Sequence, residues 1–333
     1  MEDEEIEKKE YAKKPLSIKQ QVLKLKSRGL IVDDVNLAES YLSNISYYRL
    51  RAYTFPFQNN TDKEADHKFI NKNIHFKDII DIYCFDRRLR SLVFNALEKI
   101  EIAIRTKIVQ IYSESTDDSH WYEDERLFND DECILRNKNE ETGIIETTKE
   151  FKYNILEEDI LREVDRSNED FIEHYINTYH TPKNPPAWMT LEVISFGTLS
   201  RLYELLIKDD NKKEVAKQFG VQKIDIMENW LHALSILRNC CAHHSRIWNR
   251  RFPVQILLPY NTSSPFIDRA TIPTIKQNKL FAYLCCVKYI LDIISPNNDF
   301  QKNLLSLLDN AGRLLVLKDM GFPDNWKYFG VWK

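Results

Sequence analysis

FKDIIDIYCFDRRLRSLVFNALEKIEIAIRTKIVQIYS, residues 76–113, runs without a single Gly or Pro. Its apolar residues Ile82, Phe85, Leu89, Leu92, Ala96, Ile100, Ala103 and Ile104 fall mostly three and four positions apart, the period of one helix face. The spacing predicts a long helix with one core-facing stripe. Arg87, Arg88 and Arg90 then read as its solvated face, and Glu101 and Arg105 as an ion pair at i, i+4; either group could instead support a phosphate site. The composition agrees with a mainly α chain. Only 7 Gly and 11 Pro occur in 333 residues, and 29% are charged, which disfavours a turn-rich β protein.

Working outward, Ser17 is a candidate N-cap for IKQQVLKLKSR, which Gly29 closes, and Asp33 or Asp34 offers a cap to VNLAESYLSNI. YYRLRAYTFPF, residues 47–57, interleaves aromatics with Arg49 and Arg51. That mixture suits base stacking, and it equally fits a Tyr-rich helix-to-loop junction packed on the core. Residues 114–150, rich in Asp, Glu, Asn and Ser, read as a polar insertion with little packing power. A helix is expected over residues 154–179, ending at TPKNPP, and another in MTLEVISFGTLSRLYELLI. Past Pro253 the pattern is irregular, then helical over residues 276–294 and 299–308. The expected organisation is a charged flexible tail over residues 1–14, an all-α domain over 15–252, and a C-terminal helical extension over 253–333 packed on the core.

Several functional classes recede. MEDEEIEKKEYAKK has no apolar run and is expected to be neither a secretory signal nor an anchor. The longest apolar stretch, broken by Lys288 and Asp292, is too short to span a bilayer, so no membrane partner is expected. The 6 Cys lack a C-x-x-C spacing, which points to reduced thiols in a cytoplasmic protein. A net charge of −4 gives no global basic field, so nucleic acid would have to be held by a local patch.

One such patch stands out in SILRNCCAHHSRIWNR, residues 235–250. A helix from about Asp225 to Asn249 would carry Met227, Trp230, Leu231, Leu234, Leu237 and Cys241 on one stripe. Arg238 falls on the edge of that stripe, where its guanidinium needs a carboxylate or phosphate partner. Asn239, His243 and Arg246, at i, i+4 and i+7, share a face with His232 and Ser235 further along, and His244 points about 100° away from His243. The R-x4-H spacing alone is weak; the weight comes from clustering, with Arg246, Arg250 and Arg251 close by on an acidic chain. Cys240, Cys241 and the His pair fan apart on a helix and have no second ligand pair, so neither a metal nor a cofactor is expected.

RNCCAH, residues 238–243, has the R-N-x3-H form of the R-x4-6-H signature of HEPN ribonucleases, and its extension AHHSRIWNR is similar to the Abi-like (AbiD/AbiF) abortive-infection proteins of bacteria. KPLSIKQQVLKLKSRGLIVDD with SYYRLRAYTFPF, then CFDRRLRSLVFNALEKIEIAIRT, then PPAWMTLEVISFGTLSRLYELL resemble successive blocks of that family, in its order. The resemblance covers roughly residues 13–252 and leaves out the acidic insertion and the C-terminal extension. It implies a HEPN-type helical core and phage defence through RNA cleavage, restrained in some members by a cognate non-coding RNA. Carried residue by residue, Arg238 and His243 match the catalytic pair and Asn239 its polar support, while His244, Arg246, Trp248 and Asn249 match the extension.

The residue types suit metal-free RNA cleavage. His titrates near neutrality and can take or give a proton, and the planar fork of Arg can hold phosphate oxygens. One imidazole cannot readily serve as base and acid at once, so a homodimer with a composite cleft is expected. The products would be a 2′,3′-cyclic phosphate and a 5′-hydroxyl. RNA contacts are expected at His244, Arg246, Arg250, Arg251, Arg49, Arg51, Arg87 and Arg88. The alternative is a non-catalytic RNA-binding or interaction module in which the same cluster grips phosphate.

Overall fold

The computed structural model describes residues 10, 12, 14–61, 66–138 and 145–333. The charged tail expected over residues 1–14 therefore lies, except for residues 10, 12 and 14, outside the described residues. The chain is 60% helical, with twelve α-helices and one two-stranded sheet among the described residues. It divides into two compact units, one of residues up to Phe85 with Asn310–Leu315, the other of Asp86–Asp309 with Val316–Lys333.

The first unit begins with α1 (Ile18–Ser27), where Ser17 and Gln20 form a capping box and so satisfy two orphan amides. Gly29, at φ 95°, ends it in the left-handed region that glycine enters at least cost. Asp34 caps α2 (Val35–Ile45) by accepting from the amide of Leu37, and Ser46 caps α3 (Tyr47–Thr54). Tyr53 is buried edge-on against Tyr83, with ring centroids 5.4 Å apart, so this part of the aromatic run is core; Tyr48 is exposed. Arg313 closes the unit by pairing with Asp78.

The long helix expected from the opening stretch is α4 (Phe76–Thr116), and the division between units falls within it. In the second unit the polar insertion departs from expectation. Trp121, Tyr122 and Phe128 are buried, and Trp121 stacks on Tyr112 at 4.9 Å. Three large aromatics outweigh the polar residues around them, so this part packs well. After it, β1 (Glu132–Lys138) and β2 (Ile145–Phe151) pair antiparallel, with Glu132 opposite Phe151.

The helix expected over residues 154–179 is two: α5 (Lys152–Asp165) and α6 (Asp170–Thr178), broken at the Ser167 and Asn168 that favour turns. Next come α7 (Ala187–Val193) and α8 (Phe196–Leu205), separated because the Ser195 hydroxyl accepts from the amide of Thr198 and starts a new helix. After α9 (Asp210–Gln218) the chain enters α10 (Ile224–Ala242), which packs against α8, α9 and α11 (Leu280–Ile294). Met227, Trp230, Leu231, Leu234 and Leu237 of α10 are fully buried. The extension packs on this core. Trp230 of α10 donates its indole N–H to Leu257 O at 2.7 Å, Tyr283 of α11 donates its hydroxyl to Val254 O at 2.6 Å, and α12 (Phe300–Asp309) follows.

Candidate functional site

Helix α10 places the cluster at its C-terminal end. Arg238 is 30% exposed, and its Nε lies 3.2 Å from Glu101 Oε2 on α4, at ion-pair distance but outside hydrogen-bond alignment. The partner required of a core-edge guanidinium is thus a carboxylate. Glu101 is shared, since Arg105 Nη2 lies 3.2 Å from its Oε1 as the i, i+4 spacing predicts; Arg105 also bonds Ile194 O at 2.9 Å. The guanidinium of Arg238 lies 6.0 Å from the Phe94 ring centre, and its Nη1 lies at a long 3.5 Å from Asn239 Oδ1. Its inner edge is anchored and its outer edge is turned towards Asn239.

Helical geometry holds as far as His243, whose amide donates to Asn239 O at 2.9 Å, and both side chains are exposed. Beyond it the expected register fails. The helix ends at Ala242, not near Asn249, because His244 adopts φ 56°. The amides of His244 and Ser245 then reach back to Cys241 O at 3.1 Å and Cys240 O at 2.8 Å, the paired bonds of a Schellman motif. Arg246 therefore does not share a helix face with Asn239 and His243 at i+7; it lies beyond a reversal of the chain. Nor is Asp225 the N-cap: Lys223 takes that position, and Asp225 pairs with Lys208 at 2.5 Å.

The reversed turn is held by a residue that sequence reasoning missed. Asp86 of α4, wholly buried, accepts from the amides of Ile247 at 3.2 Å and Trp248 at 2.7 Å. Its charge is met by Arg90, itself buried, which is therefore not part of a solvated face. A buried carboxylate needs such partners, and together they fix the backbone just after the His pair. Along α4, Asp86 thus holds the turn, and Phe94 and Glu101 flank Arg238.

The other residues expected to touch RNA belong to several elements. The guanidinium of Arg246 lies 5.7 Å from the Trp248 ring, and that of Arg250 5.9 Å from the Phe252 ring. Arg251, Arg87 and Arg88 are exposed. Arg49 and Arg51 belong to the first unit, where Arg51 Nη2 lies 3.2 Å from His67 Nε2. Burial pushes the Cys241 thiol up to about 12 and raises Cys240 as well, so both are inert small hydrophobes, not nucleophiles. Among the described residues no helix is long and apolar enough to cross a membrane.

The family model of the Abi-like proteins matches residues 40–249, which include α10 and its turn. The chain belongs to the Abi-like protein family. The family is one of abortive infection, a form of defence against phage. No curated protein and no solved structure matches the chain.

Proposed function

We propose that this Abi-like chain is a metal-independent HEPN-type endoribonuclease of abortive infection, cytoplasmic and homodimeric, with Arg238, Asn239 and His243 as its reactive set. One observation carries the reading: a buried carboxylate anchors Arg238 while its outer edge, Asn239 and His243 open to solvent at one helix end. Side chains kept for packing alone would turn inward, as Leu237 and Cys241 do. In the step proposed, one imidazole takes the proton of the RNA 2′-hydroxyl as that oxygen attacks phosphorus. The bond from phosphorus to O5′ breaks, and a second group protonates O5′. Arg238 holds the non-bridging oxygens as charge gathers on them. The products are a 2′,3′-cyclic phosphate and a 5′-hydroxyl.

Arg238 and His243, five residues apart, point about 140° apart around the axis, with Asn239 between them. One copy thus presents its cation and its imidazole on different sides. A second copy related by a two-fold axis supplies the missing imidazole, and a cognate non-coding RNA covering this end would restrain both.

The test is RNA cleavage by the purified full chain, with and without co-purified RNA. Arg238→Ala and His243→Ala each lose cleavage, the latter by about 10²–10⁴-fold, with unchanged circular dichroism; His244→Ala loses less. Mixed dimers of the first two variants recover part of the rate. Cleavage by a protein that light scattering shows to be monomeric contradicts the composite site. RNA binding without cleavage in the wild type assigns the cluster to gripping phosphate alone.

A further inference from the structure

The C-terminal extension runs back along the turn that follows α10. The amide of Phe252 donates to Asn278 O at 2.9 Å and that of Ile256 to Gln277 O at 3.1 Å, so the 276–279 segment lies beside residues 252–256. Lys279 Nζ donates to Asn249 Oδ1 at 3.1 Å. Lys276, exposed, and Lys279, half-buried, thereby join Arg246 and Arg251 across a gap of some thirty residues in sequence. The local field reflects the gathering. Burial holds the Lys279 ammonium below its ordinary range; the carboxylate of Asp319 opposes this, and Arg251, Lys276 and Arg246 push the same way as burial. On a chain of net charge −4, this excess of cations is local. Helix α11 begins at Leu280 and adds the positive end of its dipole. Like charges crowded in this way repel one another, and a polyanion relieves the repulsion while releasing its counterions.

We propose that Arg246, Arg251, Lys276 and Lys279 form one rim that binds the phosphate backbone of single-stranded RNA, and that the extension serves the site by supplying the two lysines. The inference rests on the ribonuclease reading for the identity of the polyanion as substrate; binding to the rim is separable from cleavage. The turn itself is fixed by Asp86, so the rim is presented by rigid backbone rather than by a loose loop. Arg250 is engaged otherwise, its Nη1 donating to Arg246 O at 3.3 Å.

The experiment measures binding of a short fluorescein-labelled single-stranded RNA to the full chain carrying His243→Ala, across a salt series. Adding Lys276→Gln and Lys279→Gln weakens binding and lowers the slope of log affinity against log salt by about 0.7 for each phosphate no longer neutralised. Lys302→Gln, an exposed lysine of α12, leaves both unchanged. Lys276→Gln alone, at an exposed position, gives the change expected of one phosphate even where Lys279→Gln impairs folding. An unchanged slope overturns the rim, as does a lysine dependence seen with polyglutamate and not with RNA. If the lysines govern RNA binding while the wild type never cleaves RNA, the rim stands and the ribonuclease reading falls; cleavage with an unchanged slope gives the reverse.

Discussion

Helices α10 and α11 each carry two adjacent cysteines, Cys240/Cys241 and Cys285/Cys286, yet their surroundings differ. Every residue of α11 from Leu280 to Leu291 is buried, Lys288 included, which is paired with Asp292. On α10 the cysteines face inward while Asn239 and His243, immediately beside them, are exposed. The ends differ as well. Helix α11 stops with the Ser295 amide on Leu291 O at 2.8 Å, whereas α10 closes through a histidine in a conformation that normally selects glycine. Asn239 and His243 thus answer to no packing demand, and the end of α10 tolerates backbone cost to keep side chains in place.

The largest contrast comes from changing the polarity of one residue in each helix. Ala282→Asp buries an unpaired carboxylate in α11 and is expected to abolish folding, a loss above about 4–5 kcal/mol. Asn239→Ala on α10 shifts stability by no more than about 0.5 kcal/mol. Circular dichroism melts of the two decide it, and comparable losses would mean that α10 is a packing helix after all. Asp86→Ala comes next. It removes the carboxylate that faces buried Arg90 and accepts from two amides, so urea unfolding should show a loss of about 3–5 kcal/mol; a loss within the range of an ordinary surface change contradicts the clamp on the turn. The smallest effect runs the other way. His244→Gly removes the left-handed penalty and raises stability by roughly 1 kcal/mol, and a lowered melting temperature would show that the His244 side chain stabilises the turn more than its backbone strains it.

Local signals were legible and distant ones were not. Ser17, Gly29 and Asp34 announce helix ends through bonds to residues a few positions away, and the structure uses all three. The need of Arg238 for a counter-charge could be read from its place on the stripe, but Glu101 as that partner could not, because it already had a local mate in Arg105. Asp86 lies 161 residues from Ile247, and no spacing rule spans such a gap. Periodicity misplaces the end of α10 because His occupies the position where Gly would have marked it, so the helical pattern continues in the sequence after the backbone has turned. Trp121 and Tyr122 were lost in an acidic stretch whose average composition hid two core residues.

Product chemistry in the presence of EDTA decides whether Arg238, Asn239 and His243 cleave RNA without a metal. Purified wild type incubated with end-labelled RNA should cleave at an unchanged rate in excess chelator and leave 2′,3′-cyclic phosphate and 5′-hydroxyl ends, while His243→Ala leaves the RNA intact. Cleavage that EDTA abolishes and Mg²⁺ restores, or equal cleavage by His243→Ala, would contradict that reading.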